Sequence, residues 1–308
     1  MRINSIDFLK GLAILAVIAL HSFTEYGPFK LLLLQSVPIF IILMGFNWTM
    51  SLNRSGFEVK DYIMKKTMRF ILPLIPIFFI TLAILLWFDP PTNIITFANG
   101  GLSYLLFFLG QMPVYGPGNY YIGVLLQALI AIPILWWFSK KDMRLMLMSA
   151  FGVSAVSEIS YFLHIFPQDN YIYELLIFRW VFAIALGIVL VDIVNQRIIP
   201  LWLKVGIILS SAIILTQATF GVMFMTAYFG YLNVLTYSFA AGLILGVIFL
   251  NLSWKPINLL GQASYHIFLS QMVWFILFNF GYLLNLIICV CSGVTFYYFN
   301  KKIANMPL

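Results

Sequence analysis

The sequence predicts an all-α polytopic membrane protein with about ten transmembrane helices and one short re-entrant or interfacial segment. Of its 308 residues, 63% are hydrophobic and only 9% are charged. A soluble domain carries about 25% charged residues, so this composition indicates an integral membrane protein. Long apolar runs recur along the whole chain, and the basic residues cluster between alternate runs. We expect residues 1–308 to form a single transmembrane domain, with both termini in the cytoplasm.

Ten apolar runs are long enough to cross a bilayer, which takes about 20 residues of helix. These runs are 6–22, 32–52, 70–88, 119–138, 145–163, 172–192, 205–224, 231–250, 259–279 and 281–299. The shorter run 101–113 has about 13 residues, a length typical of a re-entrant or surface segment. We therefore predict that 101–113 does not cross the membrane.

The distribution of basic residues supports this count, because cytoplasmic loops are enriched in Lys and Arg. With ten spans, fifteen of the seventeen basic residues lie on the cytoplasmic side: Arg2, Lys10, Arg54, Lys60, Lys65, Lys66, Arg69, Lys140, Lys141, Arg144, Arg197, Lys204, Lys255, Lys301 and Lys302. Lys30 lies outside and Arg179 is embedded. The formal net charge of +7 is thus explained by membrane topology, and no nucleic-acid partner is expected.

The first predicted span carries the residues that point most directly to chemistry. Asp7 and Lys10 lie one helical turn apart at its start, and His21 follows near its other end. Roughly 16 Å of helix separates Lys10 from His21. A histidine titrates near neutrality and can take a proton from a hydroxyl group, so His21 is a candidate general base. The alternative is a histidine that only bonds a neighbouring helix.

Glu25 lies four residues after His21 and shares a helix face with it if the helix continues. In that position its carboxylate would orient the imidazole ring, so we include Glu25 among the candidate catalytic residues. Gly27 and Pro28 end the helix close by, which weakens this partnership.

A basic cluster precedes the third apolar run. Lys66 and Arg69 have the i,i+3 spacing that places two side chains on one helix face, and they can grip a polyphosphate, with Lys10 as a third contact. The alternative is that these charges only mark the cytoplasmic side. We prefer that alternative for Lys65, and for Arg69 the two interpretations are equally supported.

Glu158 and Arg179 each fall inside a predicted span, toward the outer half. Because consecutive helices run in opposite directions, the two side chains lie at similar depth and can form an embedded pair. A charge within the membrane is a functional-site hypothesis by default. A purely structural ion pair is an equally good interpretation.

Several familiar enzyme signatures are missing from the sequence. It contains no phosphate-binding loop, dinucleotide fingerprint, metal-spaced His/Cys/carboxylate cluster or nucleophile elbow. We therefore expect no metal cofactor, and an enzymatic interpretation depends on His21 together with an activated co-substrate.

The chain resembles the acyltransferase family 3 integral-membrane O-acyltransferases along nearly its whole length. Members begin with an Arg, an acid, a basic residue followed by Gly, and a His, an order that appears here in Arg2, Asp7, Lys10-Gly11 and His21. The segment VPIFIILMGF (37–46) is similar to the second-span motif, with Met44 in place of Ser. Lys66 and Arg69 correspond to the R-x-x-R motif of the family.

Three later segments extend the resemblance. The segment 120–135 is similar to the aromatic-rich fourth span of the family, with Tyr120 where Trp is usual. FRWVFAIALG (178–187) looks like the arginine-to-glycine span, which begins with Arg179. LLGQASYHIFLSQ (259–271) resembles the Gly-x-x-Ser-Tyr motif, with Gln271 replacing the common His.

The resemblance implies transfer of an acyl group, usually acetyl, from acyl-CoA to a carbohydrate hydroxyl. It implies that His21 is catalytic, that the basic pair holds the coenzyme phosphates, and that acetyl-CoA is the co-substrate. Arg179, or another buried donor, would then stabilise the oxyanion. We expect a multi-pass protein of the cell membrane, in contact with lipids, that acts on a cell-surface or lipid-linked glycan. The oligomeric state is left open.

A transporter, flippase or exporter of a glycan intermediate is the main alternative function. Embedded charges such as Glu158 and Arg179, together with aromatic-rich helices, suit a path for a polar substrate as well as an active site.

The topology leads to a direct test. A reporter inserted in the 139–144 loop should be cytoplasmic, because Lys140, Lys141 and Arg144 then lie on the positive side. Cysteine accessibility in intact cells measures this. An external reporter would mean that 101–113 crosses the membrane and that the count of ten spans is wrong.

Overall fold

The structure is a computed structural model. It describes residues 3–22, 29–55, 58–88, 118, 120–163, 170–220, 234–277 and 281–304. Within these ranges the chain forms helices and no strand, so the all-α prediction is confirmed. The predicted re-entrant segment 101–113 and the candidate residue Glu25 lie outside the described residues.

The described ranges contain twelve α-helices and one 3-10 turn. The helices are α1 (Asn4–Ser22), α2 (Phe29–Leu34), α3 (Ser36–Ser55), α4 (Val59–Phe88), α5 (Tyr120–Lys141), α6 (Met143–Phe162), α7 (Asn170–Leu175), α8 (Val181–Gln196), α9 (Leu201–Phe220), α10 (Tyr237–Phe249), α11 (Lys255–Leu277) and α12 (Tyr282–Ala304). The 3-10 turn, Ile177–Trp180, connects α7 to α8.

Seven segments of the described chain are helical, long and apolar enough to cross a membrane. They are Asn4–Ser22, Lys30–Arg54, Asp61–Ile84, Tyr120–Lys141, Met143–Phe162, Ile177–Gln196 and Tyr282–Ile303. The other three predicted spans overlap α9, α10 and α11. The apolar parts of α9 and α10 are shorter, and α11 carries polar side chains such as Gln262, His266 and Gln271. The count of ten and the position of the termini stay predictions.

Glycine residues permit two close helix crossings that shape the bundle. A Cβ atom at Gly11 of α1 would overlap the Ile257 carbonyl of α11, and one at Gly261 would overlap the Asp7 carbonyl. Small residues of this kind let membrane helices approach until their backbones touch. Gly187 of α8 lies in the same way against α3. As a result, α1 packs closely on α11 and α3 packs closely on α8.

The predicted span 172–192 is not a single helix. The chain leaves the helical conformation at Leu176, whose φ and ψ are −77° and 131°, between α7 and the 3-10 turn. The side-chain amide of Gln127 in α5 bonds both sides of this break, because Nε2 donates to the Leu175 carbonyl (2.8 Å) and Oε1 accepts from the Ile177 amide (3.0 Å). A broken helix inside a membrane protein needs such partners for its freed backbone groups.

Ser154 of α6 supports the start of α8 by a similar arrangement. Its hydroxyl donates to the Phe178 carbonyl (3.0 Å) and accepts from the Phe182 amide (3.1 Å). Side chains from two neighbouring helices therefore hold the broken span in place. The correction to the sequence prediction has a clear physical cause, since these polar partners replace the hydrogen bonds that a continuous helix would make within itself.

The break gives a stability prediction. Gln127→Met keeps nearly the same side-chain volume but removes the hydrogen bonds that Gln127 makes with the Leu175 carbonyl and the Ile177 amide. The loss should lower the stability of the fold by about 1–3 kcal/mol for each buried group. The melting temperature of the detergent-solubilised variant should fall clearly. Ser211→Ala is the control, because the Ser211 hydroxyl bonds the Ile207 carbonyl of its own helix. Equal melting temperatures for the two variants would contradict this role of Gln127.

Candidate functional site

A large cavity of about 940 Å³ opens between α1, α3, α4, α5, α11 and α12. Its volume lies at the upper end of the range for small-molecule and cofactor sites, about 300–1,000 Å³. The lining is mixed, and its ionisable side chains are Asp7, Lys10, His21, Arg54, Lys66, Arg69, Tyr120, Tyr121, Glu174, Tyr265, His266 and Tyr297. Such a concentration of polar groups inside a bundle that is otherwise apolar marks this cavity as the candidate site.

The three predicted phosphate-binding residues lie in this cavity together. Lys66 is buried, with 8% of its surface exposed, whereas Arg69 is exposed at the rim. Lys10 and Arg69 each lie close enough to Lys66 to repel its charge. Because like charges destabilise each other, an anion bound among them would be favoured. We call this group of three cations the basic end of the cavity.

Two aromatic rings hold the Lys66 ammonium in place. Its Nζ lies 5.1 Å from the centroid of the Trp48 ring and 5.9 Å from that of Tyr62. Cation–π contacts of this kind compensate part of the cost of burying a charge. Lys65, by contrast, is exposed and pairs with Asp61 at 3.2 Å. This arrangement agrees with the interpretation that Lys65 serves topology.

His21 lines the same cavity from the last turn of α1. Its ring is partly buried and makes an edge contact with Phe275 of α11, with centroids 6.2 Å apart. Along α1, roughly 16 Å separates this position from Lys10. The cavity therefore joins the candidate base to the basic end.

Arg179 does not line the cavity, although the sequence analysis proposed it as an oxyanion donor. It lies in the 3-10 turn, where Nη1 contacts Glu174 Oε1 at 3.5 Å and the guanidinium packs on the rings of Tyr173 and Trp180. Glu174 itself is a lining residue. The break between α7 and α8 causes this arrangement, because it folds Arg179 back toward a residue only five positions earlier.

Glu158 is buried, accepts a hydrogen bond from a backbone amide and interacts electrostatically with Arg179. Its Oε1 accepts from the Val234 amide at 2.7 Å, and its charge acts electrostatically on the Arg179 guanidinium. Glu158 and Arg179 thus interact electrostatically, while the ion pair described above joins Arg179 to Glu174. The hydrogen bond ties α6 to the segment that enters α10, which favours the structural interpretation of Glu158.

Three features of the site were not predicted from the sequence. Asn47, Ser51 and Arg54 all line the cavity, and their spacings of four and three residues form a polar stripe on one face of α3. That stripe is visible in the sequence and would have been a usable signal. Glu174 and His266 also line the cavity, but no local pattern singles them out, because their positions depend on the helix break and on packing between distant helices.

Metal binding has no obvious place among these groups. In the part of the chain that the structure describes, no group of three or more His, Cys, Asp or Glu side chains is arranged to hold a metal ion.

Comparison with known protein families gives a match over most of the chain. The family model described as an acyltransferase domain, that of acyltransferase family 3, matches residues 3–300. No curated protein and no solved structure matches the chain. The match spans all the helices that line the cavity and nearly the whole sequence. The chain therefore belongs to acyltransferase family 3.

Proposed function

We propose that this protein is a membrane O-acyltransferase that moves an acyl group, acetyl in particular, from acyl-CoA to a hydroxyl of a cell-surface or lipid-linked carbohydrate. Membership of acyltransferase family 3 supports acyl transfer in general. The observation that carries the finer proposal is the cavity, which holds three cations at one end and His21 roughly 16 Å away along α1.

The basic end suits the phosphates of the coenzyme. Lys10, Lys66 and Arg69 supply point charges and a planar guanidinium, and charge-assisted hydrogen bonds from such groups to phosphate are among the strongest in proteins. A bound polyphosphate would also remove the mutual repulsion of the three cations. In this proposal Arg69, exposed at the rim, meets the phosphates first, and the buried Lys66 fixes them.

The distance between the basic end and His21 suits the pantetheine arm of the donor. With its phosphates at the basic end, coenzyme A must extend its pantetheine arm along the cavity to bring the thioester to His21. An extended pantetheine arm has a length comparable to the roughly 16 Å between Lys10 and His21. The donor then comes from the cytoplasmic side, and the acceptor glycan reaches His21 from the opposite side of the cell membrane.

The chemical step uses His21 as the base. As the acceptor oxygen attacks the thioester carbonyl carbon, His21 takes the hydroxyl proton. The C–O bond forms and the C–S bond breaks, so the acyl group becomes an ester of the glycan. The coenzyme leaves as a thiolate, which recovers the proton from His21. In this proposal Arg179 acts indirectly. It holds Glu174 at the cavity wall, and Glu174 faces the acceptor.

The role of His21 is tested by transfer of labelled acetyl groups from acetyl-CoA to glycan in detergent. His21→Gln should lower the rate by about 10²–10⁴-fold, the usual contribution of a general base. Ser22→Ala is the control and should keep the rate, because the Ser22 hydroxyl bonds the Ile18 carbonyl of its own helix. Transfer that survives His21→Gln would exclude His21 as the base.

The transporter alternative is tested with the same purified protein after its reconstitution in vesicles. If the purified protein moves glycan across a vesicle membrane while acetyl-CoA is not consumed, the acyltransferase proposal fails and the transporter hypothesis replaces it.

The basic end makes a separate prediction about affinity. Lys66→Ala combined with Arg69→Ala should weaken acetyl-CoA binding by about 100-fold or more, since each charged hydrogen bond contributes about 1.5–3 kcal/mol. Glycan binding should change little. Calorimetric titration measures both affinities, and Lys65→Ala, a neighbouring cation paired with Asp61, serves as the control. An unchanged affinity for acetyl-CoA in the double variant would restrict the cluster to a topological role.

A further inference from the structure

His266 is a buried histidine in the wall of the cavity that the mechanism above does not use. It lies on α11, has 8% of its surface exposed, and lines the same cavity as the basic end. Polar side chains buried in a membrane bundle are costly and mark functional positions. Its surroundings therefore bear directly on how the site works.

Neighbouring side chains fix the orientation of the His266 ring. Its Nε2 lies 3.1 Å from the Asn300 amide nitrogen on α12. The rings of Phe296 and Tyr297 make edge contacts with it at 5.1 and 5.5 Å between centroids. The Asn300 amide thus contacts one edge of the imidazole, and the aromatic rings pack around the rest of it.

This contact determines which nitrogen carries the proton. Because the Asn300 amide nitrogen is a donor, Nε2 of His266 accepts, and a neutral imidazole then has its hydrogen on Nδ1. Nδ1 is itself buried and has no hydrogen-bond partner among the described residues, so a ligand in the cavity reaches it only when the surrounding side chains shift. A buried donor without a partner costs about 1–3 kcal/mol, so a ligand that accepts from it gains correspondingly.

His266 lies at the level of the basic end rather than near the candidate base. The adjacent Tyr265 donates from its hydroxyl to the Phe70 carbonyl (2.9 Å), and the neighbouring Arg69 acts electrostatically on His266. His21 contacts Phe275, nine residues further along α11, which corresponds to about 13 Å of helix. His266 therefore cannot act on the same atoms as His21.

We infer that His266 is a further donor-binding residue, whose Nδ1–H donates to a phosphate oxygen held by Lys10, Lys66 and Arg69 while Asn300 sets its tautomer. This inference rests on the proposed function, in which that phosphate belongs to coenzyme A. A neutral donor beside three cations adds direction to the binding of the anion without adding a further repelling charge.

Two substitutions at His266 distinguish the contributions of its two ring nitrogen atoms. The side-chain amide of Asn reaches the position of Nδ1, whereas that of Gln reaches the position of Nε2. His266→Gln keeps a polar group facing Asn300 but loses the donor toward the phosphate, and we expect it to weaken coenzyme A binding at least tenfold, or about 1.4 kcal/mol. His266→Asn restores that donor and should stay within about threefold of the unchanged protein.

Asn300→Leu provides an independent variant that leaves His266 in place. Without the amide donor the imidazole proton is no longer held on Nδ1, so coenzyme A binding should weaken about three- to tenfold. The affinity for pantetheine, which has no phosphate, should be the same in all four proteins.

The affinities are measured by calorimetry in phosphatidylcholine nanodiscs, with and without phosphatidylglycerol. Coenzyme A binding that is equally strong in His266→Gln and the unchanged protein overturns the inference, as does equal weakening by the Gln and Asn variants. A difference that appears only with phosphatidylglycerol assigns His266 to a lipid phosphate and also overturns it. If the unchanged protein binds no coenzyme A, the proposed function itself fails.

Discussion

The cost of placing charge inside an apolar bundle governs the architecture of this protein. Lys66 is almost fully buried at the charged beginning of a helix that is otherwise long and apolar from Phe70 onward, and its ammonium is supported by the Trp48 and Tyr62 rings. The bundle tolerates this charge, and those of Lys10 and Arg69, because all three line one large polar cavity. Such a cavity supplies the polar environment that lipid and apolar side chains cannot.

Two departures from regular helix packing make the cavity possible. The close crossing of α1 with α11 depends on Gly11 and Gly261, and it brings the predicted base and the buried His266 to the same space. The break between α7 and α8 brings Glu174 to the wall. Gln127 and Ser154 provide the hydrogen bonds that the broken span lacks. Irregular backbone in a membrane protein is stable where neighbouring side chains satisfy it in this way.

The two histidines of the cavity differ in their surroundings, and this difference suggests a division of labour. His21 lies on the last turn of α1, and its ring makes an edge contact with Phe275. His266 is held by Asn300 and enclosed by Phe296 and Tyr297. In the proposed reaction His21 exchanges a proton with the acceptor, whereas a ring with a set tautomer, such as that of His266, suits a fixed hydrogen bond.

Composition and spacing were sufficient to identify the class of protein and half of the candidate site. The small charged fraction indicated a helical membrane protein, and motifs containing Lys10, His21, Lys66 and Arg69 pointed to the family that the comparison then established. These features are local, because hydropathy acts through runs of residues and the motifs are short. Only the tertiary structure showed that Glu174 and His266 line the cavity and that Gln127 bonds the broken span. Gln127 bonds Leu175 and Ile177, about 50 positions away, and His266 contacts Asn300 on another helix, and no periodicity within one helix records such contacts.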